Sequence, residues 1–160
     1  MHNKTELVQH FIRARNQVRA LLPEIDVKME IYPGWTIKEV LAHLSGWDDA
    51  TILAIQKFTT SEPPLMTAIR GIDFYNSQTI AEREDLSYEQ IVREWEWVRE
   101  QLIPMLHQLT EKELATVITA PWGTTLSIFE LLNIMVEHEE EHTRIIQKRM
   151  ENPDQAPDPH

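Results

Sequence analysis

The chain reads as a series of apolar stripes at helical spacing. From Lys4 to Leu22, the residues Leu7, Phe11, Ala14, Val18 and Leu21 recur every three or four positions, and the run stops before Pro23. The connector PEIDVKMEIYPGW follows, with Tyr32-Pro33-Gly34 as a turn signal. Thr36 and Glu39 stand at capping-box spacing, which opens a second helix that runs to about Phe58. TTSEPPL ends it, because Pro63 and Pro64 cannot continue a helix. GIDFYNSQTIAERED predicts a short helix or helical turn inside a long crossover. Ser87 and Gln90 repeat the capping spacing and open a third long helix, in which Pro104 should make a kink or a local break. Thr110 and Glu113 predict one more short turn. VITAPWGTTLS reads as a loop, after which Thr125 or Ser127 caps a last helix to about Met150.

Four long helices, one long crossover and no internal repeat predict an all-α fold, a four-helix bundle. The expected organisation is a single domain over residues 1–150 and a flexible, acidic, proline-rich tail over residues 151–160. Only 4 glycines in 160 residues argue against an all-β chain full of tight turns.

Composition narrows the function. The chain has no cysteine, so disulfides, thiolate metal sites and cysteine nucleophiles are excluded, and any metal must be held by His, Asp, Glu or water. Against 26 Asp+Glu stand 15 Lys+Arg, a net charge of −11. Such a charge repels phosphate backbones and anionic lipid, so neither nucleic acid nor a membrane surface is expected as a partner. The opening MHNKTELVQHFIRARNQ lacks the apolar core of a secretory signal, and no later apolar run is long enough to span a bilayer. The expected location is cytoplasmic.

The chemistry concentrates in VEHEEEHTRII. On a helical wheel Leu131, Met135, His138, His142 and Ile145 share one stripe, so both histidines point toward the core. Glu139 and Glu141 lie on the shoulders of that stripe, about 80° to either side, and Glu137 and Glu140 face further out. Imidazoles four residues apart can converge on one ion. A third donor is offered by VLAHLSGWD, where Val40, His43, Trp47 and Ala50 share a face. Three histidines would leave a position open for water or substrate, as in catalytic zinc sites. The plain alternative is that each inward histidine is a core residue with a hydrogen-bond partner. His2, His10, His107 and His160 lack paired spacing or sit near the termini, and read as exposed or satisfied side chains.

The stretch also fits H-E-x-x-H, the zinc-protease pattern with Glu139 as general base. That pattern is short and the segment is glutamate-rich. Only 18 residues follow His142, and no substrate-binding sheet is in view. Glu139 is better read as a group that supports a ligand from behind.

At these residues the sequence resembles a family. GWTIKEVLAHLSGWDDA resembles the second-helix signature of DinB-like, YfiT-related proteins. APWGTTLSIFELLNIMVEHEEEHTRII resembles their Pro-Trp-Gly-type loop and last helix with H-x-x-x-H, and GIDFYNSQTIAERED their crossover, with an Asn as at Asn76. The resemblance implies a four-helix bundle carrying a divalent metal, often zinc or nickel, on His43, His138 and His142. It also implies chemistry of the kind such relatives perform: thiol S-transfer with bacillithiol or a similar low-molecular-weight thiol, mycothiol-dependent maleylpyruvate isomerisation, or self-resistance to toxic metabolites. The family name reflects DNA-damage induction, not DNA binding. The expected function is a metal-dependent transferase or hydrolase acting on a small electrophilic metabolite. The alternative is a non-catalytic bundle that binds a metal or small ligand.

The chain holds 5 tryptophans. Trp47 shares the His43 face and should line a pocket, while Trp35 and Trp122 sit where lids over the core would be. Trp95 and Trp97 are about 200° apart on a helix, so one must face outward, which makes it a candidate homodimer contact.

Overall fold

The computed structural model describes residues 3–160, so His2 lies outside the described residues. Six helices and a two-stranded hairpin follow in order: α1 (Lys4–Leu21), α2 (Ile37–Thr59), α3 (Ile72–Ala81), α4 (Tyr88–Gln108), α5 (Glu111–Leu114), β1 (Val117–Thr119), β2 (Thr125–Ser127) and α6 (Ile128–Glu151). A 3-10 turn, Leu22–Glu24, follows α1. The four long helices pack in the ring α1–α6–α2–α4, each against two neighbours, and the crossover helix α3 lies on α2. The fold is an all-α bundle with a long crossover, as the periodicity predicts.

Local chemistry sets the boundaries. The Thr36 backbone N–H donates to the Glu39 carboxylate at 2.8 Å, which starts α2. Reciprocal capping boxes pair Ser87 with Gln90, Thr110 with Glu113 and Ser127 with Glu130. Ser127, not Thr125, caps α6. Pro104 lies inside α4 without ending it. The segment read as a loop is an antiparallel hairpin, with Val117 opposite Ser127 and Thr119 opposite Thr125. β-branched residues on both sides of the Pro-Trp-Gly turn carry that signal.

Two apolar clusters fill the bundle. One gathers Phe11, Leu102, Leu106, Leu131, Leu132 and Val136. The other gathers Val18, Ile37, Leu41, Ile91, Trp95 and Ile146. At their junction each long helix contributes one buried charge: Arg15, Asp48, Arg99 and Glu139. Arg15 donates to Glu139 Oε1 at 2.7 Å and to Asp48 Oδ2 at 3.1 Å. Arg99 donates to Glu139 Oε2 at 2.6 Å and to both Asp48 oxygens at 3.0 and 3.1 Å. Two positive and two negative charges cancel, and the oxygens are satisfied by guanidinium forks. The layer ties all four helices together at the level of the candidate site.

Candidate metal centre

α2 and α6 are neighbours, and their mid-helix histidines meet. His43 Nε2 lies 3.0 Å from His138 Nε2 and 3.1 Å from His142 Nε2, and the last two are 2.8 Å apart. Three ring nitrogens facing one point cannot all be satisfied by protons shared among them, because each neutral imidazole carries one N–H. A cation held among them would resolve the conflict. A tetrahedral site with metal–nitrogen bonds of about 2.0–2.1 Å has donor-to-donor edges of about 3.3–3.4 Å. The observed edges of 2.8–3.1 Å are about 0.2–0.6 Å shorter than that, so a slight opening of the triangle would let the donor set hold a small divalent ion. Nickel is also compatible with imidazole donors.

The surroundings keep the imidazoles neutral, the form that binds metal. Burial, then repulsion from His138, holds His43 well below the ordinary histidine pKa. Burial and the neighbouring histidines do the same for His142. Burial lowers His138 to about 4.

Tyr32-Pro33-Gly34-Trp35 forms the predicted turn. Gly34 takes φ +80, with Pro33 before it, the pattern of a type II turn, and Trp35 N–H returns to Tyr32 O at 2.9 Å. Both flanking aromatics reach the site. The Tyr32 hydroxyl is 2.7 Å from His142 Nδ1, a contact that fixes the ring's orientation behind the donor nitrogen. The Trp35 ring centroid is 5.0 Å from that of His43. His43 Nδ1 is buried without a hydrogen-bond partner among the described residues.

Beside the histidines opens a cavity of about 380 Å³. Trp47, Met135 and Trp122 give it apolar walls; Asn76 supplies an amide, and Ile72 and Ile134 form the rim. Trp47 Nε1 donates to Asn76 Oδ1 at 2.8 Å, so the crossover helix is locked onto α2 at the cavity wall. This close approach requires Gly46: a Cβ there would stand 2.1 Å from Thr79 Oγ1.

Several expectations change. The helical wheel placed Glu139 on a shoulder, but it is fully buried, and the inward face of α6 runs through Leu132, Val136, Glu139, Thr143 and Ile146. Both Glu139 oxygens are bound by arginines, which leaves no free carboxylate to act as a protease base. Glu141 is exposed and pairs with Arg144. His10 contacts Glu140 at 2.5 Å, and His107 is exposed. Trp95 is buried, and Trp97 is 59% exposed. His160, read as an unremarkable terminal side chain, lies over the site. Its ligand atom and those of His43 and His142 fall within 4.8 Å of one another, a second donor set that could hold a metal ion. The set containing His138 is the tighter of the two.

The model of the DinB superfamily matches residues 10–146. The chain belongs to the DinB superfamily. Solved structures with this fold include the Sibling Lethal Factor Precursor DfsB, 18% identical with a TM-score of 0.80, covering 98% of this chain and 99% of that one. An uncharacterised protein from Escherichia coli UTI89 is 14% identical, with a TM-score of 0.81 and 96% of each chain covered. The colibactin self-resistance protein ClbS, in complex with a dsDNA, is 11% identical, with a TM-score of 0.77, covering 91% of this chain and 93% of that one. Comparison with curated proteins returned no match.

The ClbS complex corrects one expectation. A net charge of −11 points away from nucleic acid, yet a structure of this fold holds a DNA duplex. Net charge is a sum over the surface, whereas duplex binding depends on local contacts to phosphates and bases. A nucleic-acid partner is therefore compatible with the fold. No helix among the described residues is long and apolar enough to cross a membrane.

Proposed function

We propose that His43, His138 and His142 hold a divalent cation, zinc or nickel, and that this DinB-superfamily chain uses it in a transferase or hydrolase reaction on a small electrophilic metabolite seated in the adjacent cavity. The observation that carries the reading is the convergence of three neutral Nε2 donors, 2.8–3.1 Å apart, beside that cavity. When bound, the ion would favour the anionic form of a low-molecular-weight thiol or of water. The chain's residues do the rest. Tyr32 orients His142. Trp47, Trp122 and Met135 present apolar surface that binds the substrate body and excludes water. Asn76, held by Trp47, offers a polar anchor at the wall.

A second reading, a bundle that binds a metal or small ligand without turnover, has its own support. Apart from histidines, Asp73 is the only titratable side chain among the described residues that line the cavity, and it is exposed. Because ClbS is seen with a dsDNA, duplex DNA belongs among the ligands to be tried.

The two readings part on turnover. Metal-loaded protein should consume an aryl halide or an epoxide in the presence of a small thiol, and His43→Ala should abolish this. No turnover with any thiol or metal in a panel would leave the binding reading in place of the catalytic one.

A further inference from the structure

The last residues do not leave the bundle. Arg149, buried on the final turn of α6, donates to the carbonyls of Asn152, at 3.1 Å, and Gln155, and to that of Glu30 at 2.9 Å. Lys148 Nζ meets Asp158 Oδ2 at 2.6 Å. These contacts turn residues 152–160 back over the site. The chain then sets the His160 ring against Tyr32 and Trp35, with centroids 4.5 Å away in each case. These are the two aromatics of the turn that already supports His142 and His43. The ring also lies 5.3 Å from His142 and 5.5 Å from His43, and it lines the cavity mouth.

We propose that residues 152–160 are a strap that delivers His160 to the open side of the histidine cluster as a fourth, displaceable donor. The inference rests on reading that cluster as a metal site. Three histidines leave one tetrahedral position for an outside ligand. His160 is the side chain placed to take it, because its ligand atom is already within 4.8 Å of those of His43 and His142. A coordination edge of about 3.3 Å asks that one exposed residue move closer to the cluster. Arg149 anchors the base of the strap at Asn152 and Gln155, while beyond Gln155 it is held by aromatic contact and by an exposed ion pair, both weak enough to be displaced. An incoming ligand and the tail then compete for one position, so the strap protects the site when no ligand is present and sets a threshold for entry.

The test loads the full chain with Co(II) and compares wild type with His160→Ala, using added imidazole as the competing ligand. A strap seated in about nine molecules of ten lowers the apparent affinity for a competitor about tenfold. His160→Ala should therefore change the visible Co(II) absorption bands and tighten imidazole binding by about that factor. His160→Ala with wild-type bands and wild-type imidazole affinity overturns the strap while leaving the three-histidine site standing. Failure of both proteins to take up Co(II) overturns the metal site itself, and the strap with it.

Discussion

Arg99 and Glu139 meet in the centre of the bundle, where Arg99 Nη2 donates to Glu139 Oε2 at 2.6 Å and the carboxylate is shielded from solvent. Burial alone would raise the Glu139 pKa, but Arg15 and Arg99 outweigh it and hold the carboxyl below its ordinary value. The glutamate inside H-E-x-x-H is thus a structural anion in a four-helix ionic layer. Glu139→Gln should destabilise the fold by about 3–5 kcal/mol, because two buried guanidiniums lose half of their compensation. Metal stoichiometry should be retained. Denaturant unfolding and metal analysis on the same variant check both halves. Loss of metal from a folded Glu139→Gln protein would contradict this role.

The charged layer is also what the sequence conceals. Its members come from four helices, and Arg15 and Glu139 are 124 positions apart. A helical wheel assigns glutamate and arginine to the solvent unless a partner is known. A wheel centred on the α6 histidines puts Glu139 on a shoulder. The histidine pair itself was legible, because i, i+4 spacing on an apolar stripe is a local property. His43 stands alone on the face of Val40, Trp47 and Ala50, so the helical pattern shows that it points inward but not what it meets. The hairpin was missed because three-residue strands give too short an alternation to register against flanking turn residues. His160 was missed because a Pro- and Asp-rich tail reads as frayed, and its anchor, Arg149, looks from sequence like an ordinary last-turn cation. By contrast, the Thr36–Glu39 and Ser87–Gln90 capping boxes, the short turn at Thr110–Glu113 and the Tyr32-Pro33-Gly34 turn are encoded within a few residues and form as read, whereas the Ser127–Glu130 box settles a cap that the sequence leaves open between Thr125 and Ser127.

Gly46→Ala tests the packing of the crossover. In an exposed helix, alanine is favoured over glycine by about 1 kcal/mol. Here the new methyl would meet Thr79 Oγ1 at 2.1 Å and Thr79 Cβ at 2.7 Å, so α3 must move. A net loss of about 1–3 kcal/mol is expected, as for other overpacked cores. The tryptophan fluorescence should change too, as Trp47 loses Asn76. A stabilised variant with unchanged fluorescence would contradict the close approach.

The two neighbouring tryptophans of α4 should behave differently. Trp95→Ala removes a fully buried ring with Arg15 stacked 4.1 Å from its centroid, and should cost about 3–5 kcal/mol. Trp97→Gln alters an exposed side chain and should stay within about 0.5 kcal/mol of wild type. Thermal or urea unfolding of the two variants decides this.

Metal-free protein should lose stability in mild acid. His43, His138 and His142 are held below the ordinary histidine pKa in the folded state, and regain it on unfolding. Between about pH 6.5 and pH 4 the unfolded chain binds protons that the folded chain refuses, so stability falls as pH falls through that window. His138→Gln should flatten the slope by up to one proton. An apo protein whose stability does not change between pH 7 and pH 4 would contradict the neutral, buried cluster.

The most direct measurement is the zinc affinity of His43→Ala, by chelator competition, alongside its circular dichroism. His43 is the only one of the three close donors on α2, so its removal leaves two close imidazoles on a single helix, with the displaceable His160 as the sole further donor placed near them among the described residues. The account predicts a folded bundle whose zinc affinity falls by well over tenfold. A His43→Ala protein that keeps its helices and holds zinc as tightly as wild type would contradict the three-histidine site.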